Sequence, residues 1–334
     1  MKSIFPVWFL KITAAWIISS AGLPMIQAAE PLPKELAKYE ALIKPEHRQH
    51  WAFQAVKKHR VPEVQNIGWT RNPIDAFVLA KLESKGWQPA PAADPRAFLR
   101  RIYLDVVGIP PTPLEQESFL HDTSPQAIDR LVQDLLSRPG YGERWGRHWL
   151  DLVRYAETNG YERDATKPHV WRYRDYVIQS FNDDKPFDRF IVEQLAGDEL
   201  ADATSETRIA TGYYRLGPWD DEPADPQEDR FDQLDDMINT TSQVFLGVTL
   251  ACARCHNHKF EPLTMLDYYR MAAIFNPLER PKTGRDDVDL PIGSPKQLEQ
   301  IARIDQQIAL LRRALLSQVA STVSLSISSS WMLG

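Results

Sequence analysis

From residue 72 onward the apolar positions recur three and four residues apart, in short runs broken by proline, glycine and small polar residues. That spacing puts one side of each run against a core, as in amphipathic helices. NPIDAFVLAKLESKG has a proline in its first turn and closes on a lysine and a glycine, and DPRAFLRRIYLDVVG repeats the logic with Asp94 as cap, Pro95 in the first turn and Gly108 as stop. Thr112 opens a short helix, Ser124 and Pro125 precede AIDRLVQDLLS, and ERWGRHWLDLVRYAE follows Tyr141. HVWRYRDYVIQSFN, PFDRFIVEQLAG, TSETRIATGYYR and LTMLDYYRMAAIFN read the same way. No run of β-branched residues alternates over several strands. The predicted fold class is mainly α, an irregular multi-helix domain with long loops and a minor hairpin at most in the N-terminal arm.

The two ends read differently. Residues 1–28 carry Lys2, an apolar stretch from Ile12 to Leu23, a break at Pro24 and then small residues, with Ile26 and Ala28 where a signal peptidase would read. This predicts a signal peptide, export to a periplasm or the cell surface, and no stable membrane span after cleavage. Residues 29–71, rich in proline and histidine, are expected to form an arm lying on the main domain at 72–278. Residues 279–334 are expected to hold a loop, a C-terminal helix and a frayed Ser-rich tail. Ile301, Ile304, Ile308, Leu311 and Leu315 fall at heptad spacing, which predicts half of a helical hairpin or a short coiled coil.

Composition narrows the class. The chain is 43% hydrophobic and 25% charged, as soluble globular proteins are, and 25 prolines accompany ten tryptophans, so short elements with rigid connections are expected rather than disorder. A net charge of -6 without a long basic run argues against nucleic acid as partner. The chain has two cysteines, and in an oxidising compartment two thiols either pair or are held by something.

Those cysteines lie in LACARCHNHKFEP, where Cys252, Cys255 and His256 form C-x-x-C-H. On a helical turn the three would share one side, the arrangement covalent haem requires: two thioethers and a ring nitrogen on the iron. Zinc is a second reading, with Cys252, Cys255 and His256 or His258 as ligands, though no second cysteine pair closes a tetrahedron. A disulfide or redox dithiol is a third, without the βαβ pattern expected around it.

Arg144, His148, Asp151 and Tyr155 form a polar stripe along a helix whose other sides carry Trp145, Trp149, Leu150, Leu152 and Val153. If that helix is mostly buried, the stripe needs partners. His148, oriented by Asp151, is then a candidate sixth iron ligand or general base, and the alternative is a buried network tying helices together. His169, Met265 and Met237 are the other candidates for the sixth position, while His258 is expected to point elsewhere. Arg172, Arg174 and Asp175 are read either as propionate partners or as helix-surface ion pairs. Asp220, Asp221, Glu222 and Asp225 offer carboxylates to calcium, without EF-hand spacing, or form a solvated loop.

NPIDAFVLAKLESKG, RRIYLDVVGIPPTP, YGERWGRHWLDLVRYAET, WRYRDYVIQSFNDDKPFDRFIVEQLAGDEL, ATGYYRLGPWDDEPADP and FLGVTLACARCHNHKFEPLTMLDYYR occur in order from about Pro73 to Phe275. Together they resemble the exported domain-of-unknown-function family, number fifteen forty-nine, abundant in planctomycetes. Its members often carry a cytochrome-c-like domain upstream and a second uncharacterised domain downstream. The resemblance implies a redox partner or downstream domain, here expected on a separate chain. The leading expectation is an exported c-type haem protein for electron transfer or oxidoreduction. The rivals are a hydrolase-like enzyme acting on extracellular carbohydrate through His148 and Asp151, with structural cysteines, and a zinc-binding or structural surface domain.

Overall fold

The computed structural model describes residues 37–39, 41–278 and 291–330, with side chains described as far as 316. The signal-peptide reading falls on residues outside these, as do the loop at 279–290 and the last four residues. The helices that matter are α1 (Pro73–Glu83), α2 (Pro95–Val106), α3 (Pro113–His121), α4 (Ala127–Leu136), α5 (Pro139–Leu152), α6 (Trp171–Asn182), α7 (Phe187–Ala196), α8 (Ser205–Ala210), α9 (Pro226–Thr241), α10 (Met265–Phe275) and α11 (Pro295–Ser330). Among the described residues no strand forms, and the one extended pairing is a bridge between Thr158 and Thr166. The mainly α, irregular multi-helix class is what the molecule adopts.

Helix starts follow local chemistry. Asn72 accepts from the amides of Ile74 and Asp75 while Asp75 reaches back, closing a capping box at α1. Asp94 caps α2, Thr112 and Glu115 form a capping box at α3, and Asp225 caps α9. Proline occupies the first turn of α1, α2, α3, α5 and α9, where its missing N–H costs nothing.

Three apolar clusters stack along the chain. Leu99, Tyr103, Val107 and Leu135 close the first, between α2 and α4. Trp149, Val153, Tyr173, Val177, Phe190 and Tyr213 build the central one. Leu234, Met237, Ile238, Leu250, Ala253 and Tyr268 build the third, on α9 and α10. Each fully buried leucine contributes about 1.5–3 kcal/mol. Helices α5 and α6 approach so closely that a Cβ on Gly142 would lie 2.3 Å from the Ile178 carbonyl oxygen, and the Gly142 amide donates to Asn182 Oδ1 at 2.8 Å.

The central cluster holds polar groups only where they are satisfied. Trp149 Nε1 donates to Gln194 Oε1 at 3.0 Å, the Tyr173 hydroxyl donates to the same oxygen, and Gln194 Nε2 donates to the Phe190 carbonyl. Burial pushes the Tyr173 hydroxyl well above its ordinary value. Arg154, left-handed at φ 54°, reaches from the end of α5 to Asp236 on α9, and the Tyr214 ring contacts both the central and third clusters.

Two expectations are corrected. The arm carries short helical turns at Pro45–Arg48, Trp51–Phe53 and Ile67–Trp69 instead of a hairpin, because Pro45 and the His50 ring, which accepts from the Ala52 amide, set up helical starts. Helix α11 runs on through the Ser-rich stretch to Ser330. It meets the domain at its base, where Ser205 Oγ bonds Gly293 and Arg208 donates to the Pro291 carbonyl. Its heptad residues, Ile301 to Leu315, are exposed.

Candidate functional site

The cysteine segment grows out of the end of α9. There the helix widens into a π turn at Ser242–Leu246 and stops at Gly247, whose φ of 66° suits a residue without a Cβ. The fully buried Ser242 donates through Oγ to the Asn239 carbonyl and accepts from the Leu250 amide. The chain then makes a single 3₁₀ turn, Ala251–Arg254.

In a 3₁₀ turn residues three apart eclipse. Leu250 and Ala253 go inward, at 5% and 0% exposure, and Cys252 and Cys255 are both exposed, free thiols. His256 follows, also exposed. At three residues per turn Cys255 falls in register with Cys252, whereas His256 lies one residue further on, past the end of the turn, so the α-helical spacing expected for the three is replaced by a tighter one.

The turn is held from two directions. Arg254 pairs with Asp232 at 3.0 Å and Asp235 at 3.4 Å on α9. Its carbonyl accepts from the Tyr269 hydroxyl at 3.1 Å, while Tyr268 donates to Asp235 at 2.7 Å. The hydrogen bond to Asp232 pushes the Arg254 guanidinium up, and burial beside Asp235 pushes the Tyr268 hydroxyl above its ordinary value.

His256 Nδ1 lies 2.8 Å from the Asn257 carbonyl oxygen. A carbonyl only accepts, so Nδ1 carries the hydrogen, and in the neutral ring Nε2 keeps its lone pair. Metal-binding histidines are oriented by bonds of this kind. His258 has the opposite duty. Its Nδ1 accepts from the amides of Phe260 and Glu261, its Nε2 lies 3.2 Å from Thr249 Oγ1, and its amide donates to the Leu263 carbonyl. It knits the loop shut and, as expected, is turned away from ligand duty. Asn257 Oδ1 accepts from the Met265 amide at 3.0 Å, joining the loop to the start of α10.

The other residues singled out in the sequence are dispersed. The side of α5 that is buried consists of Gly142, Gly146 and Trp149, while His148 and Asp151 are exposed and the His148 ring rests edge-on against Trp145. The stripe therefore runs along an amphipathic helix, and the expected mostly buried helix is corrected. Helix α5 packs on α6 and the cysteine turn on α9 and α10. His169 is exposed in the loop before α6, Met237 is buried in the third cluster, and Met265 is half-buried beside the loop. Arg174 pairs with Asp175 and Glu157, and Arg172 stacks on Trp171, so this stretch forms surface ion pairs.

In the acidic loop Arg163 pairs with Asp221 and Glu222, Asp220 accepts from the Glu222 amide, and Asp225 caps α9. Among the described residues no three of His, Cys, Asp and Glu gather as a metal-ion site. Asp232, Asp235, Thr249 and Tyr269, which hold the turn and its loop, escaped the sequence reading because nothing in their spacing marks a contact across the fold.

A groove of about 350 Å³ lies beside this loop, lined by Arg48, Phe53, Pro262, Leu263 and Asp267. Among the described residues no helix is long and apolar enough to cross a membrane. No curated protein and no solved structure matches the chain. Residues 73–280, which contain the capped helices, the π turn and the C-x-x-C-H segment, match a family described as protein of unknown function (PSCyt2, DUF1549), and the chain belongs to that family.

Proposed function

We propose that this protein is an exported c-type haem carrier, bound through Cys252, Cys255 and His256, that exchanges electrons with a partner protein or domain. One observation carries the reading: His256 donates its Nδ1 hydrogen to the Asn257 carbonyl beside two exposed free thiols, so Nε2 is left to bind a metal. The family name, PSCyt2, hints at association with cytochromes and supports the same reading.

The three residues fit the group chemically. Each cysteine sulfur would add across a vinyl group: a C–S bond forms, the thiol hydrogen passes to the neighbouring vinyl carbon, and no oxidant is consumed. The Asn257 carbonyl would hold the imidazole ring in one orientation and raise its basicity. When bound, haem supplies one-electron redox chemistry. An exposed turn would leave that chemistry near the surface, within reach of a partner. Among the residues named for the sixth position, Met265 is joined through its amide to the loop that carries His256.

The test is expression with a haem-maturation system. The cysteine peptide should gain the mass of haem and the pyridine haemochrome should report c-type attachment, and the Cys252→Ala/Cys255→Ala chain should show neither. A colourless wild-type protein with unmodified cysteines would overturn the proposal.

A further inference from the structure

A porphyrin tethered at an exposed turn needs cover for its apolar face and a partner for its two propionate carboxylates. The groove beside the loop offers both. Phe53, Pro262 and Leu263 are apolar, and Arg48 is a cation. Two hydrogen bonds tie this wall to the ligand loop, from the His258 amide to the Leu263 carbonyl at 2.9 Å and from the Met265 amide to Asn257 Oδ1 at 3.0 Å.

Charge complementarity points the same way. The Asp267 carboxylate accepts from the Thr264 amide and hydroxyl on Oδ2, at 2.8 Å each, and its Oδ1 pairs with Arg270 at 3.7 Å, which offsets its charge. Arg48 has no ion pair among the described residues, and its own carbonyl is held by Gln54 Nε2 at 2.6 Å. Within the arm, the Gln54 bond holds the Arg48 backbone in its turn, and the His50 ring, capping the Ala52 amide, starts the turn that ends on Phe53. At about 350 Å³ the groove is at the lower end of ligand pockets, which run from about 300 to 1,000 Å³, and takes an edge rather than a whole macrocycle.

We infer that the groove receives the propionate-bearing edge of the porphyrin, with Arg48 pairing a propionate and Phe53 and Leu263 covering the ring. This rests on the haem reading above and adds to it: residues outside the family match complete the site. Arg48 and Phe53 are positioning residues. A guanidinium beside the propionates favours the reduced, less positive iron, so its removal lowers the midpoint potential.

The experiment compares matured wild type with Arg48→Ala, Arg48→Lys, Phe53→Ala and, as a charge control, Arg174→Ala. Covalent mass gain is expected in all of them. Arg48→Ala should lower the midpoint potential, Arg48→Lys should restore part of the shift, and Arg174→Ala should match wild type. Phe53→Ala should speed cyanide binding to the ferric form several-fold. Attached haem with unchanged potentials and unchanged cyanide rates overturns the groove assignment while leaving the attachment standing. An equal shift in Arg174→Ala overturns it too, by reducing the effect to general charge. Wild-type protein without attached haem overturns both.

Discussion

At the scale of single residues, neighbouring histidines in one short loop have opposite duties, and the hydrogen bonds tell them apart. His256 donates to a carbonyl and keeps a nitrogen free, whereas His258 spends its Nδ1 on two amides. His258→Ala leaves those amides without their acceptor and should cost about 1–3 kcal/mol, read as a lower denaturant midpoint. His258→Asn places an oxygen near the Nδ1 position and should recover most of that loss, whereas equal losses for Asn and Ala would show that the acceptor is irrelevant. Cys252, Cys255 and His256 could be singled out in the sequence because they lie within five consecutive residues. The residues that brace the turn were not. Asp232 lies 22 positions before Arg254, and only folding brings them together.

At the scale of elements, the helix starts could be read in advance and the helix faces only in part. Asn72, Asp94 and Thr112 cap where their sequence contexts say they should, because a cap is a contact within three or four residues. Thr112→Ala should cost about 1 kcal/mol in a thermal or denaturant melt. Helix α5 was misjudged because its tryptophans suggested burial on most sides, yet Trp145 is 41% exposed. The side that meets α6 is made of glycines, which carry no apolar signal. Gly142→Ala drives a Cβ against the Ile178 carbonyl and the Asn182 amide and should destabilise by about 2–3 kcal/mol. Gly140→Ala, whose Cβ would meet Val107 at an ordinary 3.6 Å, should be neutral or slightly stabilising. Matching melting temperatures for the two variants would refute the close α5–α6 contact.

At the scale of the whole molecule, three apolar clusters are joined by a few polar ties, and acid should loosen them. Desolvation raises the Glu115 carboxyl, but hydrogen bonds from the Thr112 amide and hydroxyl, from Arg138 and from Tyr103 outweigh it and hold the group at about 2. The folded value lies below the ordinary 4.5, so this stabilisation is present above about pH 4.5 and is lost as the pH falls toward 2. Glu193, opposed by its burial but held by Lys185, Arg189 and Tyr176, adds in the same direction. Urea midpoints measured between pH 6 and 2.5 should fall steadily for wild type. The Glu115→Gln chain should start lower at pH 6 and fall less steeply, and parallel curves would exclude the carboxylate as a source of the slope.

The exposed cysteine turn also bears on the order of events during biogenesis. Its foundation, Leu250 and Ala253 beneath and Asp232, Asp235 and Tyr269 at the sides, uses neither cysteine side chain. A chain lacking both sulfurs should therefore keep its helical circular dichroism and melt in one transition. Folding can then run its course without help from either thiol.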